Sequence, residues 1–319
     1  MARTIIGIGE TVLDIVFRNA QPQAAVPGGS VFNSMVSLGR TAGKLFPDVK
    51  LLMESQLGDD YVADIVAEFM AANGVGIEGM QRVEGQSVVS LALLDENNNA
   101  HYEFFRDKGL PPFRTPDTAI RKDDIAIFGS FFAVSPTTGK QTHEFIRRAQ
   151  QAGAIVYYDV NFRKNHPANQ EAIEANIALA DIVRASSDDL ENLYGHSDAA
   201  RLYEERISRL CPNFICTRGA EDAEVFSPGV RRTYPTAKVA DLVSTIGAGD
   251  NFNAGIIFGL VRDGLGKDDV RSLSEDDWGR LVPTAMAFSA EVCGSMFNYV
   301  SPDFIQNLEP AECPVTEVF

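Results

Sequence analysis

From residue 125 onward the chain settles into one rhythm. Short, largely apolar runs at 125–128, 155–158, 182–183 and 214–217 are mostly separated by stretches of helical character. A strand that is apolar at successive positions is covered on both faces, and alternation with helices supplies the cover. The opening Thr4-Ile5-Ile6-Gly7-Ile8 reads as a further buried strand, and 51–54 as another. From Asp59, the apolar residues Val62, Ile65, Val66, Phe69 and Met70 recur at helical spacing, and Asn73-Gly74 stops the helix. The expectation is an α/β fold with a mostly parallel central sheet.

Two early segments break that rhythm. Residues 11–17 are β-like, and 87–94 and 100–106 form a hairpin joined by the polar loop 95–99. None carries a crossover helix. They read as a separate small β element, a lid. Pro27-Gly28-Gly29 interrupts the chain just before a helix, for which Ser30 suits the N-cap. The division expected is a core of 1–10, 30–84 and 108–319 and a lid of 11–29 and 85–107. The 319 residues suffice for one large α/β unit with such an appendage.

Charge narrows the partners. Lys and Arg number 28 against 44 Asp and Glu, a net charge of −16. Such a field repels nucleic acid and anionic lipid, so neither is expected as a partner. An anionic substrate must then be met by a local positive site. Cys211, Cys216, Cys293 and Cys313 form no CxxC pair and read as reduced thiols. His101, His143, His166 and His196 form no HExxH, which argues against zinc. No run approaches the ~18 apolar residues of a membrane span. Glu10 and Asp14 interrupt the apolar start, which makes a poor signal peptide. A cytoplasmic protein is expected.

The segment richest in chemistry is 238–255. A β-like run leads into Thr245-Ile246-Gly247-Ala248-Gly249-Asp250, and a helix with Phe252, Ile256 and Leu260 on one stripe leaves it. Gly255 and Gly259 allow a neighbour to approach closely. The turn has almost no side chains, so its amides can converge at a helix N-terminus and hold an anion. Asp250 reads either as a helix N-cap or as a carboxylate that accepts the proton of an attacking hydroxyl.

Thr245 to Asp250 resembles the GAGD signature of the ribokinase-like (PfkB) carbohydrate kinases. Gly28-Gly29-Ser30-Val31-Phe32-Asn33 is similar to the GG-x-x-x-N of that family, in the family's order. Gly58-Asp59-Asp60, Asp159-Val160-Asn161-Phe162-Arg163 and Thr217-Arg218-Gly219 are smaller matches. The resemblance spans nearly the whole chain and implies a three-layer α/β/α sandwich with a β lid. It implies ATP and Mg²⁺, with Asp250 as base and Gly247, Ala248 and Gly249 as anion hole. Asp14, Gly28, Gly29 and Asn33 would hold the sugar; a solvated, outward-facing Asp14 is the alternative. Asn161, Arg163, Asp189, Thr217, Gly219 and Thr245 would border the nucleotide, Arg163 being otherwise a surface ion pair.

Two departures from the family pattern stand out. Ser244 occupies the place of an Asp that in many members helps bind a monovalent cation, which puts potassium activation in doubt. Ser186-Ser187-Asp188-Asp189 stands where Asn-x-x-Glu is common, leaving Asp189 a shorter carboxylate.

Gly9-Glu10-Thr11-Val12-Leu13-Asp14, Phe128-Gly129-Ser130 and Phe104-Phe105-Arg106-Asp107 resemble bacterial fructokinases most, with Arg106 reaching the sugar or else pairing with Asp107 or solvent. The resemblance therefore implies phosphorylation of a ketose, fructose first. A ketodeoxy sugar acid, ribose or a nucleoside stays open, as does a catalytically weak sugar-binding relative. A dinucleotide fold fails because Val12 stands where Gly7-Ile8-Gly9 needs its third glycine. Related kinases pair through their lids, so a homodimer is expected.

Overall fold

The computed structural model describes residues 2–95, 100–162, 170–236, 239 and 241–307. Its strands are β1 (Arg3–Ile8), β2 (Val12–Arg18), β3 (Gln21–Gly28), β4 (Val49–Gly58), β5 (Met80–Val83), β6 (Val88–Leu94), β7 (Ala100–Phe105), β8 (Ile125–Gly129), β9 (Ile155–Asp159), β10 (Ile182–Ser186), β11 (Asn213–Thr217), β12 (Asp222–Ser227) and β13 (Val230–Pro235). Its helices are α1 (Ser30–Arg40), α2 (Ala42–Leu45), α3 (Tyr61–Ala72), α4 (Gly139–Ala152), α5 (Gln170–Ile177), α6 (Ser187–Tyr194), α7 (Ala199–Glu205), α8 (Ala248–Arg262), α9 (Lys267–Val270) and α10 (Glu275–Cys293).

Nine strands form one sheet in the order β13-β12-β11-β10-β9-β8-β1-β4-β5. Every pairing from β5 to β11 is parallel, and β12 and β13 close the far edge antiparallel. Side-chain alternation sorts the strands into two cores. Ile5, Ile127, Tyr157, Ile182 and Ile215 pack with Phe32, Phe252 and Trp278 from α1, α8 and α10. Ile6, Phe128, Tyr158, Val183 and Phe214 pack with Phe145, Ile173 and Leu202 from α4, α5 and α7 on the other face. The molecule is therefore an α/β/α sandwich with a mostly parallel sheet, as the apolar runs imply.

The smaller sheet, β3-β2-β6-β7, joins two antiparallel hairpins through the parallel pair β2–β6. Residues 96–99 of the expected hairpin loop lie outside the described residues. Asp60 caps α3 through Ala63 N (2.9 Å) and also accepts from Ser87 N (2.7 Å), which fastens the start of the lid hairpin to the core.

Three local expectations are corrected. The described residues of the β-like run before the glycine turn form no strand. Val243 N and Ser244 N both donate to Cys293 O at the end of α10, no neighbouring strand offers a ladder, and Leu242 stays half-exposed. The N-cap of α1 is Gly29, not Ser30, because the Ser30 hydroxyl donates to Asp159 Oδ2 at 3.2 Å. Helix α8 is buried on every side and not only along the Phe252, Ile256 and Leu260 stripe, since residues 251–260, including the polar Asn251 and Asn253, are all buried. Its close approach to α10 is real: a Cβ on Gly255 would stand 2.4 Å from Ala285 Cα.

Candidate active site

A cleft of about 760 Å³ opens at the carboxyl ends of the parallel strands, between sheet and lid. Loops after β1, β8, β9 and β10 reach it, together with the start of α8, which is where open α/β sheets bind ligands.

The glycine turn borders this cleft. Gly247 caps α8 with φ at 78°, a left-handed conformation, and a Cβ there would meet Asn298 O at 2.7 Å. A Cβ on Gly249 would meet the Arg184 guanidinium at 2.8 Å. Both positions thus need a bare backbone for close approach. Gly247, Gly249 and Thr245 line the cleft. Ala248 does not, and its N–H donates to Thr245 O at 3.3 Å. The first-turn N–H groups of a helix find no acceptor within the helix, and at the start of α8 they lie where this turn borders the cleft.

Asp250 stands beside them. Its Oδ2 accepts a 2.8 Å hydrogen bond from Asn33 Nδ2, and its carbonyl accepts from the Ser34 hydroxyl at 2.7 Å. Two motifs far apart in sequence thus meet at one carboxylate. Asn33 is buried, and its Oδ1 has no partner in the protein among the described residues. An orphaned buried acceptor at a cleft wall suits a ligand donor.

Asp14 is buried rather than solvated. The Ser90 hydroxyl donates to its Oδ1, and Asn298 Nδ2 to its Oδ2 at 3.3 Å. Burial, helped by Glu10, pushes its pKa up to about 6 against the pull of Ser90 and Asn298. Gly28 makes room for this carboxylate, because a Cβ there would lie 2.3 Å from Asp14 Oδ2. Gly29, at φ 124°, does the same for Glu10 O at 2.2 Å.

Arg106 turns neither to Asp107 nor to solvent. It binds Glu10 in bidentate fashion, at 3.0 and 2.7 Å, and lies between the rings of Phe104 (4.2 Å) and Phe131 (4.3 Å). Asp107 accepts instead from Gln86 N and Gly109 N.

The nucleotide-side residues divide. Asn161, at φ 34°, lines the cleft. Asp189 lines it too, but its carboxylate is engaged by Ser186 N (2.7 Å) and Phe162 N (2.8 Å), so it fastens the 161–162 loop to α6. Arg163 lies outside the described residues. Thr217 and Gly219 do not line the cleft: Thr217 accepts from Arg184 Nη2, and Gly219 takes φ 59° at a turn where a Cβ would meet nothing within 4 Å. The Ser244 hydroxyl accepts from Ile246 N at 3.1 Å and shapes the turn.

Sequence reasoning missed Arg184. It lines the cleft, lies against Gly249 and is held by Asp159 at 3.2 Å. Burial disfavours its charge, but Asp159 and Asp189 outweigh that and hold its pKa above the usual value. It is a buried cation of the cleft wall, paired with Asp159. The signal was a lone charge that ended the apolar run 182–183. Asn298, in the loop after α10, was also missed.

A family model described as pfkB family carbohydrate kinase matches residues 8–290. A fructokinase of Rhizobium leguminosarum bv. trifolii is 28% identical over 285 residues, which cover 85% of this chain and 84% of that protein. The solved structure of aminoimidazole riboside kinase from Salmonella enterica, complexed with aminoimidazole riboside and an ATP analog, matches with a TM-score of 0.81 at 24% identity, over 96% of this chain and 98% of that one. Fructokinase with bound ATP from Xylella fastidiosa matches with a TM-score of 0.79 at 22% identity, over 97% and 98%.

Proposed function

The chain belongs to the pfkB family of carbohydrate kinases, and on that premise we propose that its cleft transfers the γ-phosphate of ATP to a hydroxyl of fructose. The observation that carries the reading is the contact of Asp250 with Asn33 at the mouth of α8, in the cleft that also holds Asp14. A ketose lies with its hydroxyls on Asp14 and on the orphaned Oδ1 of Asn33. Asp250 orients the attacking hydroxyl and takes its proton as charge leaves the oxygen. The first turn of α8 and the Arg184 guanidinium behind Gly249 stabilise the charge on the transferred group. The lid sheet limits access of water, the competing acceptor.

No group of three or more metal-ligating side chains exists among the described residues. Asp188 lines the cleft as an exposed carboxylate and would face an ion held there. A bound Mg²⁺ would offset the charge of the nucleotide phosphates, and few protein carboxylates would be needed to hold it.

Charge bears on the acceptor. Glu10 neutralises Arg106, so the acceptor end offers no unpaired cation to a sugar acid among the described residues. A riboside is the second reading, because Tyr102, Phe104, Phe131 and Phe132 give the cleft an aromatic wall. Retention of the Asp250–Asn33 contact argues against a binding-only relative.

The outer face of the lid carries Leu13, Ile15, Phe17, Leu91, Leu93 and Phe105, with Leu93 and Phe105 substantially exposed. A homodimer covers that face. Sedimentation at micromolar concentration tests it, and a monomer contradicts it. Cys211 and Cys216 stand in the core as free thiols with pKa values pushed up to about 12 by burial, in keeping with a cytoplasmic enzyme. The acceptor is tested by ADP release across ketoses, pentoses, sugar acids and nucleosides, with and without potassium. Highest turnover on a nucleoside would overturn fructose, and no turnover on any would overturn the kinase reading.

A further inference from the structure

Asn298 occupies a place between the two halves of the cleft. It is almost fully buried, at 3% exposure, yet it lines the cavity. Its side-chain amide donates to Asp14 Oδ2 at 3.3 Å and stands 3.3 Å from where a Cβ of Gly28 would be. Its main-chain carbonyl faces Gly247 so closely that a Cβ there would lie 2.7 Å away. The same carbonyl accepts from Asn251 Nδ2 at 2.8 Å, and that amide also donates to Gly247 O at 2.8 Å. Asn251 is itself held by the Ser37 hydroxyl, which accepts from Val300 N at 3.1 Å. One residue therefore joins the acceptor carboxylate on lid strand β2 to the turn that opens α8, and its backbone is locked on both sides.

We propose that Asn298 is a positioning residue that sets the acceptor carboxylate in register with the glycine turn, so that its side chain governs acceptor binding and transfer but not nucleotide binding. The inference rests on the kinase reading above. Among the described residues the side-chain donors to Asp14 are Ser90, from the neighbouring lid strand, and Asn298, from the core. Ser90 lies on β6, directly opposite Asp14 in the same small sheet, and so does not tie Asp14 to the core. Only Asn298 does so among the hydrogen bonds described to that carboxylate. Removing its amide leaves a buried carboxylate with one donor fewer, which favours the protonated form. The other ionisable groups that bear on Asp14 are Glu10, itself paired with Arg106, and Tyr299. None of them is altered by changing Asn298, so a shift in Asp14 titration reports the lost amide.

The test uses the full-length enzyme with Asn298→Ala, Asn298→Asp and Asn298→Ser, the last keeping a small donor should the first fail to fold. With fructose as the probe, Asn298→Ala raises the fructose KM by about tenfold or more and lowers kcat, while the KM for ATP stays within about twofold. The acid limb of kcat/KM moves to higher pH, and furthest in Asn298→Asp, where a like charge faces Asp14. Asn298→Ser falls between wild type and alanine. Carboxyl-carbon NMR of aspartate-labelled protein, with Asp14→Asn to assign the resonance, reads the same titration without turnover; its midpoint rises in Asn298→Ala. An unmoved fructose KM and acid limb overturn the proposal. So does a parallel rise of both KM values with lower thermal stability, which marks a structural role only. If wild type phosphorylates no acceptor, the kinase reading fails by itself. The NMR midpoint then decides Asn298, and a value unchanged from wild type overturns its hold on Asp14.

Discussion

Asn33 Nδ2 donates to Asp250 Oδ2 at 2.8 Å, across a sequence separation of 217 residues. The bond orients the carboxylate proposed as base and leaves Asn33 Oδ1 for a ligand. Asn33→Ala removes both functions. Loss of a hydrogen bond to a charged group costs about 1.5–3 kcal/mol. Steady-state kinetics should show kcat/KM for fructose lowered by roughly 10- to 100-fold, with the KM for ATP little changed. An equal fall for both substrates would contradict this geometry.

Asp14 gives the pH dependence. Its pKa, about 6 in the folded enzyme, lies above the 3.8 of an exposed aspartate. Acceptor binding through an ionised Asp14 predicts an acid limb in kcat/KM near pH 6, seen with fructose and lost in Asp14→Asn. Stability runs the other way. Between pH 3.8 and about 6 the native chain binds more protons than the unfolded one, so this group's contribution is full below the window and is lost as pH rises through it. Thermal melts of Asp14→Asn should therefore gain on wild type as pH climbs from 4 to about 7.

Arg184 and Gly249 form a second pair. Gly249→Ala would drive a Cβ to within 2.8 Å of the guanidinium and displace it. The expected result is a drop in kcat of about 10²-fold or more, typical of a lost charge-stabilising donor. Arg184→Met should raise the KM for ATP as well, whereas Arg184→Lys keeps the charge and recovers part of the rate. Wild-type kinetics in Arg184→Met would show that this cation serves only the fold.

Gly247→Ala separates backbone from chemistry. Alanine at φ 78° is strained, and its Cβ would meet Asn298 O at 2.7 Å. A loss of about 1–3 kcal/mol in stability, read by denaturant unfolding, is expected together with lost activity.

Much of this was legible in the sequence because the signals are local. Apolar runs at successive positions disclosed the buried parallel strands, and the bare turn at 247–249 pointed to one half of the cleft; Asn33 after the double glycine pointed to the other half only through its resemblance to a family motif. Long-range partners were not legible. Asn298 reaches Asp14 across 284 residues, and no pattern around it announces that contact. Arg184 ended an apolar run and so trimmed the apparent strand instead of marking a site. Val239, Leu242 and Val243 favour strands by composition, yet strand propensity is realised only where a ladder partner exists. Ser30 was a sound cap by type, but Asp159 claims its hydroxyl.

The central claim is that Asp250 serves phosphoryl transfer and not sugar binding. ADP release with fructose in wild type and Asp250→Asn, paired with calorimetric titration of fructose, tests it most directly. The account predicts a rate lowered by about 10²–10⁴-fold with fructose affinity nearly preserved. Wild-type turnover in Asp250→Asn, or loss of fructose binding in step with the rate, would contradict it.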